Sequence, residues 1–215
     1  MPSSRGNLPV SPDPFHLSAD ADERLQRWLA AVLATPGLTG IKDSAEARRV
    51  LLEDSLRGAE IVREFRGPIV DVGSGGGAPG IPLAAALPDR EVTLVEAERR
   101  KADFLKGWEE EFPNLHVVWG RAEEQETDAF AAAVAKALAP PPVAAEWCLP
   151  LVRAGGAAVL WVGPTVEIDR VTRVAEQLAA APPEERDGLL VIRKLGPTPG
   201  GFPRRPGMAQ KRPLA

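Results

Sequence analysis

Tyrosine is absent from this chain of 215 residues, cysteine occurs once, and histidine and methionine occur twice each. A lone Cys148 excludes an internal disulfide and a cysteine-built zinc cage, and His16 and His116 add too few ligands for a metal site. Such cysteine use suits a reducing compartment. Long apolar runs are missing too. The longest, residues 149–163, is interrupted by Arg153 and the Gly155-Gly156 pair, which is too short and too polar to span a bilayer. Nor does the N-terminus carry a basic head followed by an apolar stretch. The resulting expectation is a cytoplasmic protein without membrane segment or metal.

What remains is ordinary for a folded chain. Hydrophobic residues make up 44% and charged residues 26%, and the length suits one domain with a small appendage. The formal charge of −4 conceals an asymmetry. Arg193, Lys194, Arg204, Arg205, Lys211 and Arg212 fall in residues 193–215, which hold no acid, leaving 20 basic against 30 acidic residues elsewhere. A basic tail on an acidic body can reach phosphates, and it can equally be a solvated, partly disordered end.

Along the chain, the Pro- and Ser-rich residues 1–18 read as a disordered lead-in. Asp20 with Glu23 forms a capping-box pattern ahead of Leu25, Trp28, Leu29, Val32 and Leu33, which share one helical face. Thr35-Pro36-Gly37 interrupts, and Asp43 with Glu46 opens a second helix carrying Val50, Leu51, Leu52 and Leu56 towards Phe65. Residues 19–66 are thus a helical segment in need of something to pack on. From 67 to 195 short apolar runs alternate with helical ones, the pattern of an α/β core built on a mostly parallel sheet. Strands are expected at 69–72, 92–96, 115–119, 157–162 and 189–195, and helices at 81–87, 99–111, 143–152 and 167–180. Alanine-rich 130–139 has helical propensity, but the alternating order wants a buried strand at 131–135, ahead of Pro140-Pro141-Pro142. Residues 196–215 form the basic tail.

The strongest signal runs from Val70-Asp71-Val72 through Gly73-Ser74-Gly75-Gly76-Gly77-Ala78-Pro79-Gly80 into Ile81-Pro82-Leu83. A strand that ends in a glycine cluster and opens a helix is a ligand loop, because the backbone there turns sharply and lies against a bound group. Gly75, Gly77 and Gly80 satisfy the dinucleotide pattern G-x-G-x-x-G, which points to NAD. Asp71, two residues before the first glycine, points instead to a sulfonium cofactor, and Pro79 lacks an N–H for a pyrophosphate. Glu96 closes the second strand, where a carboxylate accepts both ribose hydroxyls of an adenosine ligand of either kind. Gly120-Arg121-Ala122-Glu123 follows the third strand, beside the expected adenine.

In this order the loop, Leu94-Val95-Glu96 with Arg99-Arg100-Lys101 and Phe104-Leu105, and Gly120-Arg121-Ala122-Glu123-Glu124 resemble the bacterial RsmG family, also called GidB. Glu53-Asp54-Ser55-Leu56 is similar to its Leu-Asp-Ser-Leu segment. Pro203-Arg204-Arg205-Pro206-Gly207 with Lys211-Arg212-Pro213-Leu214 is similar to its basic C-terminal motif. The resemblance covers about residues 20–215. It implies a Rossmann-like class I S-adenosylmethionine-dependent methyltransferase fold, doubly wound, with an N-terminal helical extension. It also implies methyl transfer to N7 of a guanosine in the decoding-region (530) loop of 16S rRNA, on naked RNA or the 30S subunit.

By carry-over, Gly73, Ala78, Ala122 and Glu123 would contact the cofactor, with Glu96 on its ribose. Lys136 stands where the family has an arginine, which keeps a cation but loses a planar bidentate donor. Leu51 stands where the family often has a histidine, and Val162 where it has a lysine. Guanine N7 carries an available lone pair, so no general base is sought and no catalytic residue is named. Arg193, Lys194, Arg204, Arg205, Lys211 and Arg212 are the candidate phosphate contacts, and Arg99, Arg100 and Lys101 could extend the patch. Trp119 and Trp161, near strand ends, are candidates to stack on a base, although burial is the expectation for both. A monomer is expected. Two alternatives stay open: an NAD-dependent oxidoreductase, for which no His, Tyr or Lys set is evident, and a non-catalytic RNA-binding relative.

Overall fold

The computed structural model describes residue 15 and residues 17–215, so the expected lead-in at 1–18 lies almost wholly outside the described residues. Helix α1 (Ala19–Ala34) is capped by Ser18, whose hydroxyl accepts the Ala21 N–H at 3.1 Å. This corrects the Asp20–Glu23 capping box. Asp20 lies inside the first turn, where its charge suits the helix dipole and pairs with Arg24. The buried face is the one read from the spacing, with Leu25, Trp28, Leu29 and Val32 inside.

Asp43 caps the next stretch as expected, accepting the Glu46 N–H at 2.8 Å, but the helix it opens is not continuous. Helix α2 (Ser44–Ala47) widens into a π turn at Arg48–Glu53 and resumes as α3 (Asp54–Leu56). After a turn at Arg57-Gly58 it continues as α4 (Ala59–Arg63). Two side chains occupy carbonyls in the wide turn. The Ser55 hydroxyl donates back to Leu51 at 2.7 Å, and the Lys136 ammonium donates to Val50.

Strand β1 (Ile69–Val72) then leads through the glycine loop to α5 (Gly80–Ala86), β2 (Val92–Glu96), α6 (Arg99–Lys106) and β3 (Leu115–Trp119). There follow β4 (Phe130–Lys136), α7 (Pro141–Cys148), β5 (Val152–Trp161), α8 (Ile168–Gln177), β6 (Glu184–Arg186), β7 (Leu189–Arg193) and α9 (Met208–Lys211). The strands stand in the order β3-β2-β1-β4-β5-β7-β6. Strands β1 to β5 are parallel, and β7 is antiparallel to both its neighbours.

Alanine-rich 130–136 is a strand because it lies between β1 and β5 and is covered on both faces. Ala132 and Val134 face one layer of helices, and Ala133 and Ala135 the other. Ile81 of α5, Leu105 of α6 and the buried face of α1 fill the first layer; Ala145 of α7 and Val174 of α8 belong to the second. Helix α6 stops at Lys106 instead of 111, and β5 begins at Val152, where a helix was expected to end. Strand β6 was not foreseen. It pairs with β7 through a two-residue turn, Asp187-Gly188, whose φ values of 51° and 74° match the twist of a hairpin.

Candidate functional site

The strand order reverses between β1 and β4, and in open parallel sheets such a reversal opens a crevice beyond the carboxyl ends of the strands. A cavity of about 520 Å³ lies there. Gly73, Gly75 and Ala78 of the loop, Glu96 after β2 and Lys136 after β4 form its floor and sides, and Trp28, Leu38 and Leu51 of the helical segment close over it. The Trp28 indole donates to the Gly76 carbonyl at 2.9 Å, so α1 pins the loop from above.

Gly77 does not line this cavity; it makes the turn. Its φ is +107°, and a Cβ there would stand 2.6 Å from Ile81 Cδ1. Asp71 lies beneath the loop, 1% exposed, with Oδ2 accepting the Gly80 N–H at 3.0 Å. Gly80 is needed for that approach, since a Cβ would stand 2.7 Å from the same oxygen and 2.2 Å from Leu94 Cδ2. Among the described residues Asp71 Oδ1 has no partner, and burial pushes the carboxyl up to about 7.

The start of α5 has no amide to offer a phosphate. The Gly80 N–H is spent on Asp71, the Ile81 N–H donates to Gly77 at 2.7 Å, and Pro79 and Pro82 carry none. The third glycine of the G-x-G-x-x-G match thus serves Asp71 and offers no phosphate donor, which weakens the NAD alternative.

Glu96 is 7% exposed at the cavity wall. Its Oε2 accepts the Gly75 N–H at 2.8 Å and its Oε1 the Glu98 N–H at 2.7 Å. Two amides thus fix the carboxylate while leaving further acceptor capacity on each oxygen, which is what a ribose diol requires. A smaller cavity of about 70 Å³ adjoins through Gly73, Ala97 and Leu138, and Ala122, Glu123 and Trp147 line it. Glu123 Oε1 accepts both the Trp147 indole N–H and the Gly207 amide at 3.0 Å, so this residue braces the wall. Leu138, which no motif signalled, stands between the two spaces and packs on Gly73.

Lys136 ties the roof to the sheet. Its ammonium pairs with Asp54 Oδ2 at 2.7 Å and donates to the Val50 carbonyl, and burial lowers its pKa. Asp54 and Ser55 thus act through the lysine, and Leu51 gives the cavity an apolar wall. Cys148 is fully buried, and burial raises its thiol pKa, so it offers no nucleophile.

The basic residues divide. Arg193 ends β7, which runs against the parallel strands. It therefore lies at their amino ends, away from the cavity, paired with Glu64 at 3.3 Å and stacked over Phe65. Lys194 is 1% exposed and donates to the Leu149 carbonyl and the Thr198 hydroxyl, each at 2.9 Å. Both are corrections to the expected phosphate contacts, since a sequence does not reveal at which end of the sheet a tail cation lands.

Arg204 makes a bidentate pair with buried Glu146 at 2.6 and 2.7 Å and clasps the tail onto α7. It too is structural. Residues 196–215 accordingly lie folded on the core, with Phe202, Leu214 and Ala215 packed against the second layer. Arg205, Lys211 and Arg212 are exposed. Trp161 is partly covered, with its N–H on the Asp54 carbonyl at 2.8 Å, whereas Trp119 is 52% exposed, against expectation. Among the described residues no group of acids, histidines and cysteine could hold a metal, and no helix is long and apolar enough to cross a membrane.

The family described as rRNA small subunit methyltransferase G matches residues 21–180. A ribosomal RNA small subunit methyltransferase G from Rubrobacter xylanophilus is 36% identical, with 93% of this chain and 94% of that protein covered. Its counterpart from Chloroflexus aggregans is 38% identical, with 82% of each covered. Among solved structures, a SAM-dependent O-methyltransferase from Thermotoga maritima shares the fold with a TM-score of 0.53 at 16% identity, covering 74% of this chain and 72% of the other.

Proposed function

Because this chain belongs to the rRNA small subunit methyltransferase G family, we propose that it transfers a methyl group from S-adenosylmethionine to N7 of a guanosine in the 530 loop of 16S rRNA. The observation that carries the cofactor reading is the pair of buried carboxylates under and beside a loop whose helix start has no free amide. Glu96 suits a ribose, and Asp71, orphaned at Oδ1, suits a ligand that brings positive charge. When bound, S-adenosylmethionine supplies an electrophilic methyl group on a cationic sulfur.

The chain's own task is then placement. Guanine N7 presents a lone pair without losing a proton, so no side chain need act as a base. Holding two reactants in line is worth about 7–11 kcal/mol in favourable cases. Glu96 and the glycine loop fix one reactant, and the Lys136–Asp54 pair holds the roof under which the other enters. Positive charge moves from sulfur towards the purine during transfer; the Glu96 carboxylate at the cavity wall favours a cation at either stage, and Asp71 beneath the loop joins it once ionised, above about pH 7. On the substrate side, Arg205, Lys211 and Arg212 are the tail cations exposed for phosphates.

The test is transfer of labelled methyl from S-adenosylmethionine to 16S rRNA and to 30S subunits lacking the modification, with the product nucleoside identified by mass spectrometry. N7-methylguanosine in the 530 loop is the expected product. Cofactor binding with no transfer to either form would overturn the acceptor and favour a non-catalytic RNA-binding relative.

A further inference from the structure

We propose that Trp119 is a stacking platform for an unpaired base of the substrate RNA, an inference that rests on the rRNA-methyltransferase reading. Among the described residues, Trp119 and Leu195 are the exposed large hydrophobic side chains. An exposed indole alone is unremarkable on a protein surface. This one is held in place at the mouth of the site. Its N–H donates to the Ala97 carbonyl at 3.2 Å, and Ala97 lines both cavities. Trp119 stands opposite Glu96 in the β2–β3 register, yet it lines neither cavity, so the cofactor space does not account for it.

Its surroundings favour nucleic acid. The Arg99 guanidinium lies 4.5 Å from the ring centroid, on one side of the indole, while half of the residue's surface stays open to solvent. Arg99, Arg100 and Lys101 fill the first turn of α6 and pair with Asp103 at 3.3 Å and with the N-cap Glu98 at 3.7 and 2.9 Å, surface ion pairs that are weak enough for a phosphate to replace. Exposed cations beside a fixed aromatic are the two elements of single-strand recognition, a stacking face and phosphate-binding charge.

The test uses the full chain and the variants Trp119→Ala and Trp119→Phe, with 16S rRNA affinity measured by filter binding, methyl transfer to 30S subunits, and S-adenosylhomocysteine affinity by calorimetry. Trp119→Ala is expected to weaken RNA binding about tenfold and raise the KM for the subunit, with cofactor affinity unchanged and Trp119→Phe recovering most of the loss. Unchanged RNA affinity in Trp119→Ala, or a loss confined to cofactor affinity, would overturn the platform. If the unsubstituted protein transfers no methyl yet Trp119→Ala loses RNA affinity, the platform stands and the proposed reaction falls. If the unsubstituted protein binds no RNA, both fall.

Discussion

Replacing Asp71 by asparagine converts the burial of this carboxyl into a measurable pH effect. Burial pushes its pKa from 3.8 up to about 7, against a partial offset from the Gly80 N–H. An unfolded chain releases this proton near the ordinary value, whereas the folded chain holds it until about 7. Over that interval the folded state binds more protons, so stability falls as pH rises, by about 1.4 kcal/mol per pH unit and about 4 kcal/mol in all. Roughly 3 kcal/mol of this is lost between pH 5 and pH 8.5, about 2 of it by pH 7.

The Asp71→Asn side chain keeps an acceptor for Gly80 but sets an amide group where Oδ1 has no partner, which costs about 1–3 kcal/mol at every pH. The variant is therefore expected to be close to level with the unsubstituted protein at pH 5 and the more stable of the two at pH 8.5. One kcal/mol is about 2–4 °C of Tm for a chain of this size, so the difference in Tm should swing by about 6–12 °C. Thermal scans of both proteins without cofactor, followed by circular dichroism across that range, measure it. A Tm difference that stays constant from pH 5 to pH 8.5 would refute the reasoning.

Two further outcomes follow from the tail. Arg204→Met leaves Glu146 buried without its partner, which should cost about 3 kcal/mol in urea unfolding and expose the tail to limited proteolysis. Lys211→Ala should lower the slope of log affinity for 16S rRNA against log salt by about one, whereas Lys194→Met should reduce stability and leave that slope alone.

Much of the site was legible because it is local in the chain. Strands β1, β2 and β3 end where their apolar runs end, with the glycine loop one step beyond β1 and Glu96 closing β2. Even β4 could be read, since the alternating order outweighed alanine's helical propensity. What escaped depends on contacts between distant segments. Nothing in Glu184–Arg186, short and mostly exposed, marks a strand until β7 lies beside it. Lys194 resembles any surface lysine until Leu149 and Thr198 enclose it. Glu146 gave no sign of its role, because its partner lies 58 residues away. The exposure of Trp119 was missed because it ends the edge strand, a position that the sheet order decides.

The spent amides at the start of α5 also bear on competition inside a cell. ATP and NAD both present the adenosine that Glu96 and the smaller cavity suit, and both carry phosphates. A loop with spare N–H groups would hold them. Here the amides at the start of α5 are bonded to Asp71 and Gly77 or replaced by proline, and the Glu96 carboxylate lies close by. A polyanionic adenine nucleotide thus meets repulsion without donors, while an adenosine bearing positive charge meets none.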